Sequence, residues 1–132
     1  LADTWLGQPS HTYIDREAEK LEDGGAVVHI VNECESVGSR EPARRLRNKF
    51  MAMLPEVSEQ SIVFDFDGCR APSSSFLDEL FGRMALQMGL DAFQRRCSIR
   101  GLDGSLIDRA NVVIDQRVRQ GDSLPDWEDA DN

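Results

Sequence analysis

The sequence predicts a single α/β domain, in which a mostly parallel or mixed sheet of about four strands carries helices packed against it. Short runs of β-branched and aromatic residues alternate along the chain with longer segments whose apolar residues recur at helical spacing. The resulting order, β-α-β-α-β-α, favours parallel strands that are joined by helices. A chain of 132 residues is long enough to bury one hydrophobic core.

Four short segments are predicted to form the strands. Residues 61–66 (SIVFDF) give the strongest signal, and residues 26–31 (AVVHIV) are a β-branched run that suits a strand covered on both faces. Residues 97–100 are expected to form a third strand, and residues 11–14 a short edge strand.

Three segments have the apolar periodicity of helices, at residues 42–54, 74–88 and 106–118. Pro42 suits the first turn of its helix, because an N–H group at that position has no intrahelical partner. Pro55 is expected to end the same helix.

The ends of the last two helices carry residues with capping chemistry. Ser74 or Ser75 can accept a hydrogen bond from the free N–H groups at the start of one helix, and Asp103 or Ser105 can do so for the other. Gly89 is expected to end the helix that begins at the serines.

The chain divides into a lead-in, a domain and a tail. Residues 1–22 lack a clear period and are expected to form a lead-in with the edge strand or a short helix, and residues 23–120 hold the predicted domain. Residues 121–132 carry five acidic residues and no basic one, so we expect an acidic, disordered tail.

The charge pattern narrows the class of partner. A net charge of -9 argues against nucleic-acid binding, because contact with phosphates needs a basic surface. Residues 40–49 nevertheless hold five basic residues, and a solvated helix face is the ordinary expectation for Arg44, Arg45, Arg47 and Lys49. No apolar run approaches the roughly 20 residues of a membrane span, so we predict a cytoplasmic protein that does not contact membranes.

The cysteines and histidines do not form a metal-binding pattern. Cys34, Cys69 and Cys97 are far apart in the sequence, and His11 and His29 have no partners at ligand spacing. We therefore expect no metal, no cofactor and no disulfide framework, and we expect these side chains to be structural.

Residues 63–68 (VFDFDG) resemble the first motif of haloacid-dehalogenase-type phosphatases. In that interpretation Asp65 would attack phosphorus and Asp67 would act as the acid/base, assisted by magnesium. The chemistry also needs a lysine downstream of the motif, whereas Lys20 and Lys49 both precede it. We therefore expect that the chain is not an enzyme and keep the magnesium-dependent phosphohydrolase as an alternative.

Three ordered motifs resemble a different family. Residues 38–41 (GSRE) fit the start of its first main helix, residues 63–66 (VFDF) its hydrophobic strand, and residues 75–79 (SFLDE) the signature that follows. This combination is similar to the STAS-like domain family of unknown function, over roughly residues 26–118. That family is related to the STAS domains of anti-sigma-factor antagonists.

The resemblance implies a regulatory function and a site. Members often occur beside, or fused to, histidine-kinase-like ATPase domains, which suggests such an ATPase as the partner. The serine phosphorylated in anti-sigma-factor antagonists falls on Ser75, with Ser74 as the second phospho-acceptor candidate. Ser73 and Phe76 replace the aspartate and the glycine of that motif.

A charged docking surface is expected around the helix that begins near Ser75. Its predicted partner-binding residues are Arg40, Glu41, Arg44, Phe76, Asp78 and Glu79. Two other interpretations stay open at this point. Arg40 and Glu41 can pair with each other or with Asp78 and Glu79, so that they hold two helix starts together, and Phe76 can belong to the core.

The predicted function is that of a non-enzymatic signalling domain that binds a protein partner and is switched by serine phosphorylation. A homodimer is compatible with this prediction, and no nucleic acid is expected as a partner. Besides the phosphohydrolase, a structural subunit whose basic helix docks an acidic partner or nucleic acid remains an alternative.

Overall fold

A computed structural model describes residues 26–53 and 61–121 of the chain. Strands β1 (Ala26–His29), β2 (Ile62–Asp65) and β3 (Cys97–Arg100) form a parallel sheet in the order β1-β2-β3. The mixed α/β class is therefore confirmed, and the described sheet has three strands, all parallel. The fourth predicted strand, at residues 11–14, lies outside the described residues.

Helices dominate the described part of the chain. In chain order they are α1 (Ile30–Glu33), α2 (Arg40–Met53), α3 (Ser74–Leu77), a π-helical turn (Asp78–Gly82), α4 (Arg83–Met88), α5 (Leu90–Arg96) and α6 (Gly104–Gln120). None of these helices is long and apolar enough to cross a membrane.

Helix α3, the π-turn and α4 follow one another without a break, so they form the predicted helix 74–88. It ends where expected, at Gly89, whose φ of 93° is unfavourable for other residues. The sequence patterns did not reveal α1, α5 or the π-turn. The predicted strand 26–31 is shorter than expected because its last two residues begin α1, which buries Ile30 in the core.

The core lies between one face of the sheet and the helices. Phe64 of β2 packs edge-on against Phe50 of α2 and Phe81 of the π-turn, with ring centroids 5.4 and 5.2 Å apart. Phe76 is fully buried and lies 6.3 Å from Phe66, which places it in the core. Because side chains alternate along a strand, Asp65 points to the other face of the sheet.

Two side chains cap the long helices. Asp103 accepts a hydrogen bond from the Leu106 N–H at 3.0 Å, as one of the two predicted caps of α6. The cap of α3 is Ser73, whose Oγ accepts from the Phe76 N–H at 3.1 Å, so the prediction of Ser74 or Ser75 was wrong. Ser73 takes this role because its backbone is still extended, whereas Ser74 is already the first helical residue.

Candidate functional site

Two loops meet at the carboxyl ends of β1 and β2. The first comprises residues 34–39, between α1 and α2, and the second comprises residues 66–73, between β2 and α3. They are joined by a hydrogen bond from the Ser73 N–H to the Val37 carbonyl, at 3.0 Å. The loops border an open cavity of about 640 Å³, the loop pocket, which is lined by residues 34–38 and 68–71 together with Val31. Such a volume is typical of small ligand sites.

The loop pocket combines apolar, thiol and charged groups. Val31 at its rim is 48% exposed, and no other large hydrophobic residue in the described ranges is exposed. Glu35 is neutralised by Arg45 at 2.6 Å, and the hydrogen bond from Arg45 lowers the pKa of this carboxyl. Arg70 on the second loop is exposed.

The candidate phospho-acceptor serines differ in exposure. Ser75 is fully buried, and its Oγ lies 3.2 Å from the capping Oγ of Ser73. Ser74 is half-buried at the start of α3, directly after the second loop. Ser74 is therefore the more accessible of the two hydroxyl groups, whereas Ser75 is inside the protein.

Several residues predicted to bind a partner lie together in the interior. Asp78 is fully buried and accepts hydrogen bonds from Arg40 at 2.8 Å and from Nε of Arg117 at 2.9 Å. Arg117 is also fully buried, and Arg40 is 3% exposed. The interpretation in which Arg40 ties two helix starts together through Asp78 thus agrees with the geometry.

Glu79 completes this arrangement from the next position of the π-turn. Its carboxylate accepts hydrogen bonds from Arg40 at 3.0 Å, Arg47 at 2.8 Å and Arg44 at 3.2 Å. Burial raises the pKa of Glu79, but the hydrogen bonds from Arg47 and Arg40 outweigh it and leave the pKa below its usual value. We call these residues the arginine–carboxylate cluster; its members are Arg40, Arg44, Arg47, Arg117, Asp78 and Glu79.

The π-turn and the cluster depend on each other. The Arg83 N–H donates to the Asp78 carbonyl five residues back, and Arg47 donates to the Glu79 carbonyl. Gly82 makes room for this geometry, because a Cβ at that position would lie 2.6 Å from Oδ1 of Asp78 and 3.1 Å from Cβ of Arg117. The extra residue of the turn thus accompanies a close approach of α6 to Asp78.

The predicted docking surface is therefore mostly internal. Arg40, Phe76, Asp78 and Glu79 are buried in the folded chain and offer no surface to a partner. The other two predicted residues, Glu41 and Arg44, reach the surface and pair with each other at 2.8 Å. Three cations of the expected basic face of α2, Arg44, Arg45 and Lys49, do have exposed side chains, whereas Arg47 is buried.

The pairing of those cations is specific. Arg47 is buried on Glu79, Arg45 pairs with Glu35, and Lys49 pairs with Glu33 at 2.8 Å. Electrostatic attraction of an acidic partner to this helix is correspondingly weakened.

The aspartates of the phosphatase-like motif have structural partners. Asp65 accepts hydrogen bonds from Arg100 and from the Asp67 N–H, both at 2.9 Å, and Nδ1 of His29 lies 3.3 Å away. Burial raises the pKa of Asp65, but the hydrogen bonds from Arg100 and the Asp67 N–H outweigh it, so the pKa lies below its usual value. Protein donors thus occupy both oxygens of the would-be nucleophile.

No cation site accompanies these aspartates. Among residues 26–53 and 61–121, no group of three or more histidine, cysteine or acidic side chains is arranged to hold a metal ion. This part of the chain shows no sign of a haloacid-dehalogenase-like phosphohydrolase, and Asp65 instead joins β2 to β3 through Arg100.

One member of the cluster was missed entirely in the sequence. Arg117 lies three residues after Ile114 and seven after Ala110, on the apolar stripe of α6. A cation at a stripe position is a signal for a buried anion nearby, since an unpaired charge is expensive to bury. That signal could have linked α6 to the acidic pair at 78 and 79.

Comparison with known proteins supports the motif-based recognition. No match was found among the curated proteins or among the solved structures. The model of the family described as STAS-like domain of unknown function (DUF4325) matches residues 43–106, from α2 to the first turn of α6. Two of the recognised motifs, at residues 63–66 and 75–79, lie within the match. Residues 43–106 of this chain are therefore similar to the STAS-like domain of unknown function.

Proposed function

We propose that the chain is a non-enzymatic regulatory domain that binds a protein partner at the carboxyl ends of β1 and β2. The binding surface would be the loop edge, which we define as the loop-pocket residues together with Ser74. The partner class that the family resemblance suggests is a histidine-kinase-like ATPase.

The observation that carries this proposal is the coincidence of three features at one edge. The loop pocket is open there, Val31 exposes an apolar side chain at its rim, and Ser74 is accessible beside it. An apolar anchor within a polar rim is the usual composition of a protein–protein contact. Outside the loop edge, the charged side chains of α2 largely form ion pairs within the chain.

Phosphorylation of Ser74 would give the edge a switch. A phosphate adds about -1.5 to -2 charges at neutral pH, and like charges on a docked partner would then be repelled. Ser74 replaces Ser75 as the favoured acceptor because Ser75 is fully buried.

Capture of binding proteins from a lysate of the source organism tests the surface, with Val31→Asp as the disrupting bait. The matched control is Gln94→Asp, since Gln94 is exposed on α5, which leads into the opposite ends of the strands. We expect wild type and Gln94→Asp to capture the same protein, and Val31→Asp to lose it. Capture that is equal for all three baits would reject the loop edge.

The switch is tested separately on the captured partner. Binding of wild type, Ser74→Ala and Ser74→Glu is measured by titration calorimetry. We expect Ser74→Glu alone to change the affinity, because only this variant adds a charge. Three equal affinities would exclude a switch at Ser74 while leaving the binding surface intact.

A further inference from the structure

Two thiols line the loop pocket from different loops. Cys34 ends α1 and begins the first loop, Cys69 belongs to the second, and neither is in a disulfide. The two chain segments touch beside them, since a Cβ at Gly68 would lie 3.7 Å from Cγ2 of Val31. Cys34 follows Val31 by three residues, about one helical turn, and Cys69 is next to Gly68, so both thiols flank the same contact.

The electrostatics of the thiols agree with this proximity. Burial raises the pKa of Cys34 to about 11, and negative charge on Glu35 and on the Cys69 thiolate contributes further. The pKa of Cys69 is also raised, by burial and then by Asp65 and Asp67. Cys69 is the more exposed of the two, so an oxidant in solution meets it first.

We propose that Cys34 and Cys69 form a reversible disulfide when the protein meets a peroxide, and that this bond draws the two loops together and closes the loop pocket. The proposal goes beyond partner binding, since the bond can form whether or not a partner docks at the loop edge.

The chemistry proceeds in two balanced steps. The Cys69 thiolate attacks one oxygen of hydrogen peroxide, the O–O bond breaks, and the products are a sulfenic acid on Cys69 and a hydroxide that takes up the thiol proton as water. The Cys34 sulfur then attacks the Cys69 sulfur, the S–O bond breaks, and a second water leaves. In total, two thiols are oxidised to one disulfide while one peroxide is reduced to two waters.

The surrounding chain favours closure between these two positions. The hydrogen bond between Ser73 and Val37 already holds the loops side by side. A disulfide needs Cα atoms about 4.4–6.8 Å apart, and glycines on both loops, Gly38 and Gly68, give the backbone freedom to reach that separation. Cys97 does not line the loop pocket, because it is the first residue of β3 and lies at the opposite end of the parallel strands.

The experiment treats wild type, Cys34→Ser, Cys69→Ser and Cys97→Ser with hydrogen peroxide at about pH 8.5, near the ordinary pKa of a thiol. Free thiols are then blocked with N-ethylmaleimide, and disulfides are located by peptide mass mapping. We expect a peptide linked through Cys34 and Cys69 in wild type and Cys97→Ser, a mass loss of two hydrogen atoms, and reversal by dithiothreitol. Neither of the other variants should give a linked peptide.

A second probe measures proximity without oxidation. Phenylarsine oxide bridges two neighbouring thiols, so it should bind wild type and Cys97→Ser and fail to bind Cys34→Ser and Cys69→Ser. Thermal unfolding of each variant verifies the fold. If Cys34→Ser does not fold, Cys69→Ser alone suffices for the comparison with wild type, because Cys69 is only half-buried.

The result that overturns the proposal is the absence of the linked peptide in peroxide-treated wild type, under conditions that fully oxidise free glutathione. Linkage through Cys97, or only between two chains, overturns it equally. If the arsenical bridges the thiols but peroxide leaves no disulfide, the thiols are neighbours and the proposed redox closure is rejected.

Discussion

Replacement of Asp78 by asparagine tests the arginine–carboxylate cluster most directly. Asparagine keeps the size of the side chain and removes its charge. Asp78 is fully buried and contacts two guanidinium groups, those of Arg40 and Arg117, that are themselves 3% and 0% exposed. The substitution therefore leaves buried cations with less compensating charge, and water cannot replace it.

The expected loss of stability depends on which carboxylates Arg40 and Arg117 still contact in the variant. In that variant Arg40 still contacts Glu79 at 3.0 Å, whereas Arg117 loses the charge of Asp78, with which it forms a fully buried ion pair. Removal of one partner of a buried ion pair typically costs about 3–5 kcal/mol. Because Arg40 keeps its contact with Glu79, we expect a loss of about 3 kcal/mol, at the lower end of that range. This is a large share of the total stability of a small domain, about 5–15 kcal/mol.

Urea unfolding followed by circular dichroism measures the loss, as a lower midpoint at unchanged slope. The matched control is Glu35→Gln, which breaks the exposed pair with Arg45 at the loop pocket. Exposed pairs contribute little to stability, so the control should change the midpoint far less. If Asp78→Asn destabilises the protein no more than Glu35→Gln, the cluster does not hold the helices together as argued.

Three further predictions concern the same region. Alanine normally stabilises a helix by about 0.5–1 kcal/mol over glycine, but Gly82→Ala should lower the free energy of unfolding in urea because its Cβ would collide with Asp78. A higher free energy of unfolding would contradict the close approach of Asp78 to position 82. Because the folded state lowers the pKa of Glu79, ionised Glu79 stabilises the fold at pH values above its ordinary pKa of 4.5, and this stabilisation is lost as the pH falls through the lower pKa of the folded state. The drop in melting temperature on acidification should therefore be smaller in Glu79→Gln than in wild type. Ser75→Glu should lower the melting temperature because it buries a charge, whereas Ser74→Glu should leave it nearly unchanged; the reverse order would contradict the exposures of the two serines.

Local chemistry made much of the fold predictable. The run at 61–66 is typical of a buried strand, and Gly89 and Asp103 mark helix ends by conformational freedom and capping. The two short helices escaped prediction for a physical reason. Helix α1 is a single turn that begins with two β-branched residues, Ile30 and Val31, which by themselves favour a strand; burial of Ile30 in the core accompanies the helical path.

The candidate site was harder to predict than the fold. Asp78 and Glu79 look like surface residues, because acidic pairs near a helix start usually are. Their burial depends on arginines that are distant in sequence, above all Arg117, and on the missing Cβ of Gly82. The loop pocket depends on how two loops meet, which no periodicity encodes.

The π-turn also has a meaning for the length of related chains. Its five-residue hydrogen bond from Arg83 to Asp78 accommodates one residue more than an ordinary helical turn would. Deletion of a single residue between positions 78 and 82 would restore a regular helix and leave the residues up to Met88 on the faces they now occupy, but it would remove the wide turn that places Asp78 beside Gly82 and Arg117. In a related chain that is one residue shorter here, we therefore expect an apolar residue at the position of Arg117, because the buried arginine would no longer have Asp78 beside it.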